Sequence, residues 1–301
     1  METDIYLIKP MYPCQDVPSV ILKKRCPSPC LYCDLHKRSI VDEEIIARGI
    51  DAVVKALGNF KGAYFSPLTD CFLEENSQYT HDIIETTWKI NPSFVPLVVT
   101  KQIIPERTIV LFKDNRHRLV LQISIPSVNT DFVSILEPGA SSVQDRLDIM
   151  KRLSDMGIPI IAIVMPWFDF QDDNIDSLPM ALSRAGIRRC RIGTVVLPDE
   201  QKKIIERSNH LQLVDFLKST TQQTRVTTKF GYTIPFKKRI EMFRKLSFSF
   251  SKYNIRAKVC TADNPDLLGY PLDIMVCNEF KHRLFGQPSV ENISTNLGMP
   301  Y

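Results

Sequence analysis

Three cysteines within eight residues carry the strongest chemical signal in this chain. Cys26, Cys30 and Cys33 stand in Cys-Pro-Ser-Pro-Cys-Leu-Tyr-Cys, a Cys-x3-Cys-x2-Cys spacing. Eight cysteines scattered at random over such a length would give that pattern about half a per cent of the time. Three thiolates on one tight loop can ligate three irons of a [4Fe-4S] cluster and leave the fourth iron without a protein ligand. An open metal position suits substrate or cofactor chemistry, whereas a fully ligated cluster mainly moves electrons. Pro27 and Pro29 stiffen the loop, and no acidic residue lies between Cys26 and Cys33 to repel an anionic cluster. His36 follows closely, so the same cysteines also complete a Cys3His zinc set, the mark of a non-catalytic zinc-binding module.

The elements around the loop bear on that choice. Ser19 to Leu22 reads as a short strand leading into it. Asp42 to Leu57 then repeats apolar residues at helical spacing. Further strands are expected at Ala63 to Phe65, Val95 to Thr100, Leu119 to Ile125, Pro159 to Val164 and Cys190 to Leu197. Helices alternate with them at Tyr79 to Ile90, Pro105 to Lys113, Val143 to Met156 and Asp173 to Ala185. Ser141 and Ser142 can cap the third of these, and Gly157 can stop it. The strands are continuous Val/Ile/Leu runs, which suits a parallel sheet buried on both faces. About six β-then-α units imply an α/β fold, a partial parallel barrel whose functional groups sit at the C-terminal strand ends. A loop after the first strand lies on that edge, which favours the cluster over a structural zinc.

After Leu197 the rhythm changes. A charged helix is expected from Glu200, a Thr/Gln-rich stretch spans Ser219 to Thr228, a helix runs from Phe236 to Tyr253, and a strand covers Ile255 to Cys260. Residues 1–197 therefore read as the core, with an N-terminal extension over 1–18, and residues 198–301 as a small α+β extension closing the barrel.

Composition narrows the class. The chain has 301 residues, 44% of them hydrophobic and 24% charged, which excludes a disordered or collagen-like chain. A net charge of +4 is too mild to argue for nucleic acid. No apolar run approaches the roughly 18 residues a membrane span needs. The N-terminus lacks the basic and apolar regions of a signal peptide, so a cytoplasmic protein with free or metal-bound thiols is expected.

The cysteine motif with an aromatic before its last cysteine, followed by βα units, resembles the radical S-adenosylmethionine superfamily. Ser66-Pro-Leu-Thr-Asp-Cys71, Val99-Thr-Lys101, Leu136-Glu-Pro-Gly-Ala-Ser-Ser142 with Arg146-Leu147, and Met156-Gly-Ile-Pro159 are similar to its spore photoproduct lyase-like branch. The resemblance covers roughly residues 20 to 197 and implies a partial (β/α)6 barrel of radical SAM type. It also implies that Cys26, Cys30 and Cys33 ligate a [4Fe-4S] cluster whose open iron is chelated by S-adenosylmethionine. By the same resemblance Tyr32 lies near the adenine, and Ser66, Thr69 and Asp70 surround the methionine amine. Lys101 matches a residue pairing with the cofactor carboxylate, and Ser124 one near the ribose. The implied reaction is reductive. An electron from a flavodoxin or ferredoxin cleaves the sulfonium, and a 5′-deoxyadenosyl radical abstracts a hydrogen atom from substrate. Read singly, Asp70 is also a helix cap, Lys101 a solvated strand end and Ser124 a core hydroxyl.

The chain departs from photoproduct lyases where they keep a hydrogen-donor cysteine, three residues before the aspartate. Pro67 stands there, and the nearest thiol is Cys71. Cys71 is therefore either a candidate radical-quenching catalytic residue or an inert buried thiol. Cys14, Cys190, Cys260 and Cys277 lack the close spacing of a second cluster. From Arg225 to Lys258 there are ten Lys or Arg and one acidic residue, Glu241, with aromatics interleaved. That pattern suits a nucleic-acid strand or nucleotide. It equally suits a helix packing Ile240, Phe243 and Leu246 onto the barrel, with Lys237, Lys238, Arg239, Arg244 and Lys245 solvated. Trp167, Phe168 and Asp169 are candidates to line a substrate cavity. The substrate expected is a small molecule or nucleotide; modification or repair of a nucleic-acid base is the alternative.

Overall fold

The computed structural model describes residues 5–10, 17–22, 26–33, 44–65, 67–168, 174–219, 222–225, 230–259 and Asn264. Cys14, His36, Ser66, Asp169, Cys260 and Cys277 lie outside these residues. Two short strands, β1 (Tyr6–Ile8) and β2 (Ser19–Ile21), precede the cysteine loop. After it come β3 (Ile45–Arg48), α1 (Ile50–Leu57), β4 (Gly62–Phe65), α2 (Glu74–Ile90), β5 (Val95–Thr100), α3 (Glu106–Asp114) and β6 (Val120–Ser124). The chain continues through α4 (Thr130–Leu136), α5 (Val143–Asp155), β7 (Ile160–Trp167), α6 (Ser177–Arg184) and β8 (Arg189–Thr194). It then forms β9 (Val196–Leu197), α7 (Asp199–Glu206), α8 (Leu211–Ser219), β10 (Gln222–Arg225), β11 (Phe230–Thr233), α9 (Phe236–Lys252) and β12 (Arg256–Val259).

Nine strands make one sheet in the order β12-β8-β7-β6-β5-β4-β2-β1-β3. From β2 to β12 every neighbouring pair is parallel, so the C-terminal ends of seven strands share one edge. Beyond β2, β1 and β3 add antiparallel strands. The helices cover one face: Phe65, Val98, Leu121, Ala162, Cys190, Ile192 and Ala257 pack there with Ile84, Phe112, Leu153, Leu182, Ile240 and Phe243. Side chains at alternate strand positions project to the opposite face. There Tyr64, Leu97, Val99, Val120 and Ile161 form a separate cluster.

The parallel βα order follows the sequence reading, with local differences. Asp42 to Leu57 is not one helix. Gly49 adopts φ +78°, a left-handed conformation that ends β3 and starts α1, and a glycine accommodates it without strain. Cys190 to Leu197 is two strands, because β9 leaves the large sheet to pair with β11. A short helix, α4, occupies a stretch for which the sequence suggested no element. β12 returns to the main sheet beside β8, adding a parallel strand beyond the six units read. α5 is capped as expected: the Ser142 hydroxyl accepts from Asp145 N at 3.1 Å, and the Asp145 carboxylate accepts from Ser142 N at 3.3 Å. No helix among the described residues is long and apolar enough to cross a membrane.

Candidate active site

The cysteine loop leaves the C-terminal end of β2 and is fixed at two points by distant segments. Leu31 N donates to Leu136 O at 3.0 Å, joining the loop to the end of α4. Gln201 Nε2, on the first turn of α7 and buried, donates to Cys33 O at 2.7 Å. Inside the loop Cys33 N donates to Cys30 O at 3.1 Å. Cys30 is buried, and Cys26 and Cys33 are half-buried.

Lys101, the first residue after β5, reaches into the loop. Its Nζ lies 3.0 Å from Cys30 Sγ, 3.3 Å from Tyr32 Oη and 3.4 Å from Glu137 Oε1. Asp70, in the loop after β4, holds the lysine backbone in place. Its Oδ2 accepts from Lys101 N at 2.7 Å, and its Oδ1 accepts from Thr100 Oγ1 at 2.7 Å and Phe72 N at 2.9 Å. Asn76 Nδ2, on α2, donates to Asp70 O at 2.9 Å. Burial raises the Asp70 carboxyl above its usual range, against the pull of those hydrogen bonds.

Glu137 is the hub of the cluster. Fully buried, it accepts Tyr32 Oη at 2.5 Å on Oε1 and Arg146 Nη1 at 2.6 Å on Oε2. Arg146 is also buried, and it donates to the carbonyls of Ser124 at 3.0 Å and Ser141 at 2.8 Å. Gly139, at φ +82°, turns the chain from Glu137 toward the α5 cap, and Gln102 Nε2 donates to its carbonyl at 2.9 Å. Burial would push the Glu137 carboxyl up, but Lys101 and Arg146 outweigh it and hold it below the ordinary value. Burial likewise opposes the Lys101 charge, yet Glu137, Tyr32 and Cys30 keep the ammonium protonated well above the lysine norm. The Tyr32 phenol is raised by burial and by Glu137, so it stays a neutral donor. Burial raises the Cys30 thiol, while the Lys101 ammonium works the other way.

Of the residues singled out in the sequence, the structure brings Cys30, Tyr32 and Lys101 into direct contact and sets Asp70 behind them. Thr69 is buried beside Asp70, and its hydroxyl has no hydrogen-bond partner among the described residues. Ser124 ends β6, and its carbonyl anchors Arg146. Cys71 sits in the hydrophobic core with its thiol 3.7 Å from Val99 O and its own carbonyl accepting from Thr80 Oγ1. That environment is the inert-thiol reading rather than the catalytic one. Cys190 is also buried, with a thiol raised by desolvation. Trp167 and Phe168 are both core residues, and Phe168 stacks edge-on with Phe132 and Phe216. On α9, Ile240, Phe243 and Leu246 are buried and Lys237, Lys238, Arg244 and Lys245 exposed. Arg239 differs from its expected solvation; it is buried and donates to Asn264 Oδ1 at 3.1 Å.

Glu137, Arg146 and Gln201 are the partners that sequence reasoning did not assign to the site. A glutamate in a Glu-Pro-Gly turn reads as solvated, and its burial depends on cations 36 residues before it and nine after. Three thiols on one loop, without a carboxylate and with an ammonium against one of them, are a soft donor set suited to iron–sulfur or zinc binding. The loop is not a closed cage: no group of three His, Cys, Asp or Glu among the described residues is arranged to hold an ion.

No family model matches the chain. A stretch of 125 residues, 40% of the chain, is 26% identical to an uncharacterised protein, ORF301, of Acidianus two-tailed virus, and spans 41% of that protein. Among solved structures, a cysteine-to-alanine variant of spore photoproduct lyase superposes with a TM-score of 0.64 at 15% identity, covering 84% of this chain and 78% of that one. The same kind of variant with dinucleoside spore photoproduct gives 0.63 at 15% identity, over the same shares of the two chains. Spore photoproduct lyase complexed with the dinucleoside photoproduct gives 0.61 at 14%, again covering 84% and 78%. The chain therefore has the α/β partial-barrel fold of the spore photoproduct lyase structures.

Proposed function

We propose that this chain is a radical S-adenosylmethionine enzyme acting on a small-molecule or nucleotide-like substrate. The observation that carries the reading is the place of the cysteine loop. It stands at the C-terminal end of β2 in this fold, with the Lys101 ammonium 3.0 Å from Cys30 Sγ. Cys26, Cys30 and Cys33 would hold a [4Fe-4S] cluster. When bound, the cluster and S-adenosylmethionine supply reductive cleavage of the sulfonium, which delivers a 5′-deoxyadenosyl radical for hydrogen abstraction.

The chain's own residues provide orientation and charge. Lys101 is kept protonated by Glu137, so it presents a fixed positive charge beside the loop, able to serve a thiolate or a cofactor carboxylate. Tyr32 is held as a neutral donor to Glu137, which fixes the position of its hydroxyl at the loop's end. Asp70 fixes the turn that carries Lys101, and the unpartnered Thr69 hydroxyl beside it is available to a polar cofactor group. Ser124 and, by resemblance, Ser66 complete that set. A flavodoxin- or ferredoxin-type protein of the cytosol would deliver the electron.

Pro67 at the hydrogen-donor position argues against photoproduct repair, and Cys71 in the core does not replace the missing thiol. Base modification in nucleic acid is the second reading, supported by the exposed basic face of α9. Phe243 and Phe250 are in the core, however, which leaves Phe248 as the strongly exposed ring on that helix. The test is anaerobic reconstitution followed by iron and sulfide analysis and an assay for 5′-deoxyadenosine with dithionite and S-adenosylmethionine. About four irons per chain are expected, with cofactor cleavage, both lost in Cys30→Ala. Zinc without iron and no cleavage would overturn the proposal.

A further inference from the structure

The face of the sheet opposite the helices carries a row of residues that is polar except for Ile163. Strand register places Thr100 beside Ile123, so Lys101, the next residue, is level with Ser124. Ser124 pairs with Ile163, Ile163 with Arg191, and Arg191 with Lys258. One row thus runs Lys101, Ser124, Ile163, Arg191, Lys258 across five adjacent segments at the C-terminal edge. One step below, Val99, Gln122 and Ile161 lead toward Arg189 and its neighbour Arg256. Cys190, Ile192, Ala257 and Val259 pack on the helix side. By alternation, Arg189, Arg191, Arg256 and Lys258 therefore project from the other face. Gln122 is nine-tenths buried on that same face, and its Oε1 has no hydrogen-bond partner among the described residues.

We propose that Arg191 and Lys258, with Arg189 and Arg256 behind them, form the subsite for a phosphate group on the substrate. The inference rests on the radical-enzyme reading only in calling the bound molecule a substrate. An arginine fork beside a lysine is suited to tetrahedral oxyanions. Three strand spacings of about 4.8 Å put Arg191 on the order of 14 Å from Lys101 along the sheet. That separation leaves room for a cofactor at one end of the row and an anionic substrate at the other. Gln122 lies between them, with an amide able to meet the substrate's polar body.

The test is titration of the full chain with inorganic phosphate at constant ionic strength, for the wild type, Arg191→Gln, Lys258→Gln and the double variant. A Lys237→Gln/Lys238→Gln variant on the exposed face of α9 is the control. Saturable phosphate binding is expected in the wild type, weakened about tenfold by either single change, abolished by the double and unaltered in the control. If Arg191→Gln fails to fold, Lys258→Gln at the edge strand carries the same comparison. Competition by a nucleoside 5′-monophosphate or by a dinucleoside phosphodiester tells a small phosphorylated molecule from a nucleic-acid strand, and either result supports a phosphate subsite. No saturable binding, equal affinity in the variants, equal loss in the control, or equal competition by acetate would overturn it. Phosphate binding that persists in Cys30→Ala separates this subsite from the fate of the cluster proposal.

Discussion

Glu137 shows how a single buried carboxylate can organise a site. It receives Arg146 on one oxygen and Tyr32 with Lys101 on the other, and Lys101 in turn touches Cys30. Removing its charge leaves two cations at the loop without their counter-ion, and breaking a buried pair in this way costs about 3–5 kcal/mol. Glu137→Gln is therefore expected to lower the unfolding temperature markedly at neutral pH. Because the folded carboxyl is held below its ordinary value, its stabilisation is complete above the unfolded value near pH ~4.3 and is lost as pH falls through the folded one. The gap between variant and wild type should narrow in thermal melts carried below about pH 4; a gap independent of pH would contradict the charged network. At this scale the cysteines stood out by their spacing, whereas Tyr32, Lys101 and Asp70 were named through the resemblance. Glu137 was not, since its neighbours are brought to it only by folding.

At the scale of elements, the cysteine loop is held by segments that contribute no thiol. The end of α4 grips it through Leu31, and α7, more than 160 residues further along the chain, grips it through Cys33. Gln201→Leu deletes the second contact, a hydrogen bond worth about 0.5–1.5 kcal/mol. The reconstituted variant is expected to lose iron to a chelator several-fold faster than the wild type while retaining its secondary structure. Equal rates would show that α7 does not support the loop. Periodicity predicted β5 at its observed bounds and placed most helices well. It missed α4, which is short, and the break at Gly49, where apolar residues continue at helical spacing across a change of structure. The departure of β9 was also hidden, because Thr194 to Leu197 reads as one uninterrupted run although its last residues pair with β11.

For the whole molecule, seven parallel strands set the cysteine loop, Asp70, Lys101 and Ser124 on one edge, while the helices bury the other face. The βα alternation was visible in the order of apolar runs. The return of β12 beside β8 was not, since a four-residue strand after a long helix carries no sign of its partner. That return aligns Lys258 with Arg191 and makes the edge chemically two-ended, with soft donors at β2 and hard cations at β8 and β12. The proposed activity requires the three thiols to hold a cluster with one iron open to a small ligand. The most direct test is electron paramagnetic resonance of the anaerobically reconstituted, dithionite-reduced protein before and after addition of S-adenosylmethionine. A reduced-cluster signal whose g values shift when the cofactor is added is expected, with no such signal in Cys30→Ala. A cluster signal that S-adenosylmethionine leaves unchanged, or a protein that takes up zinc and no iron, would contradict it.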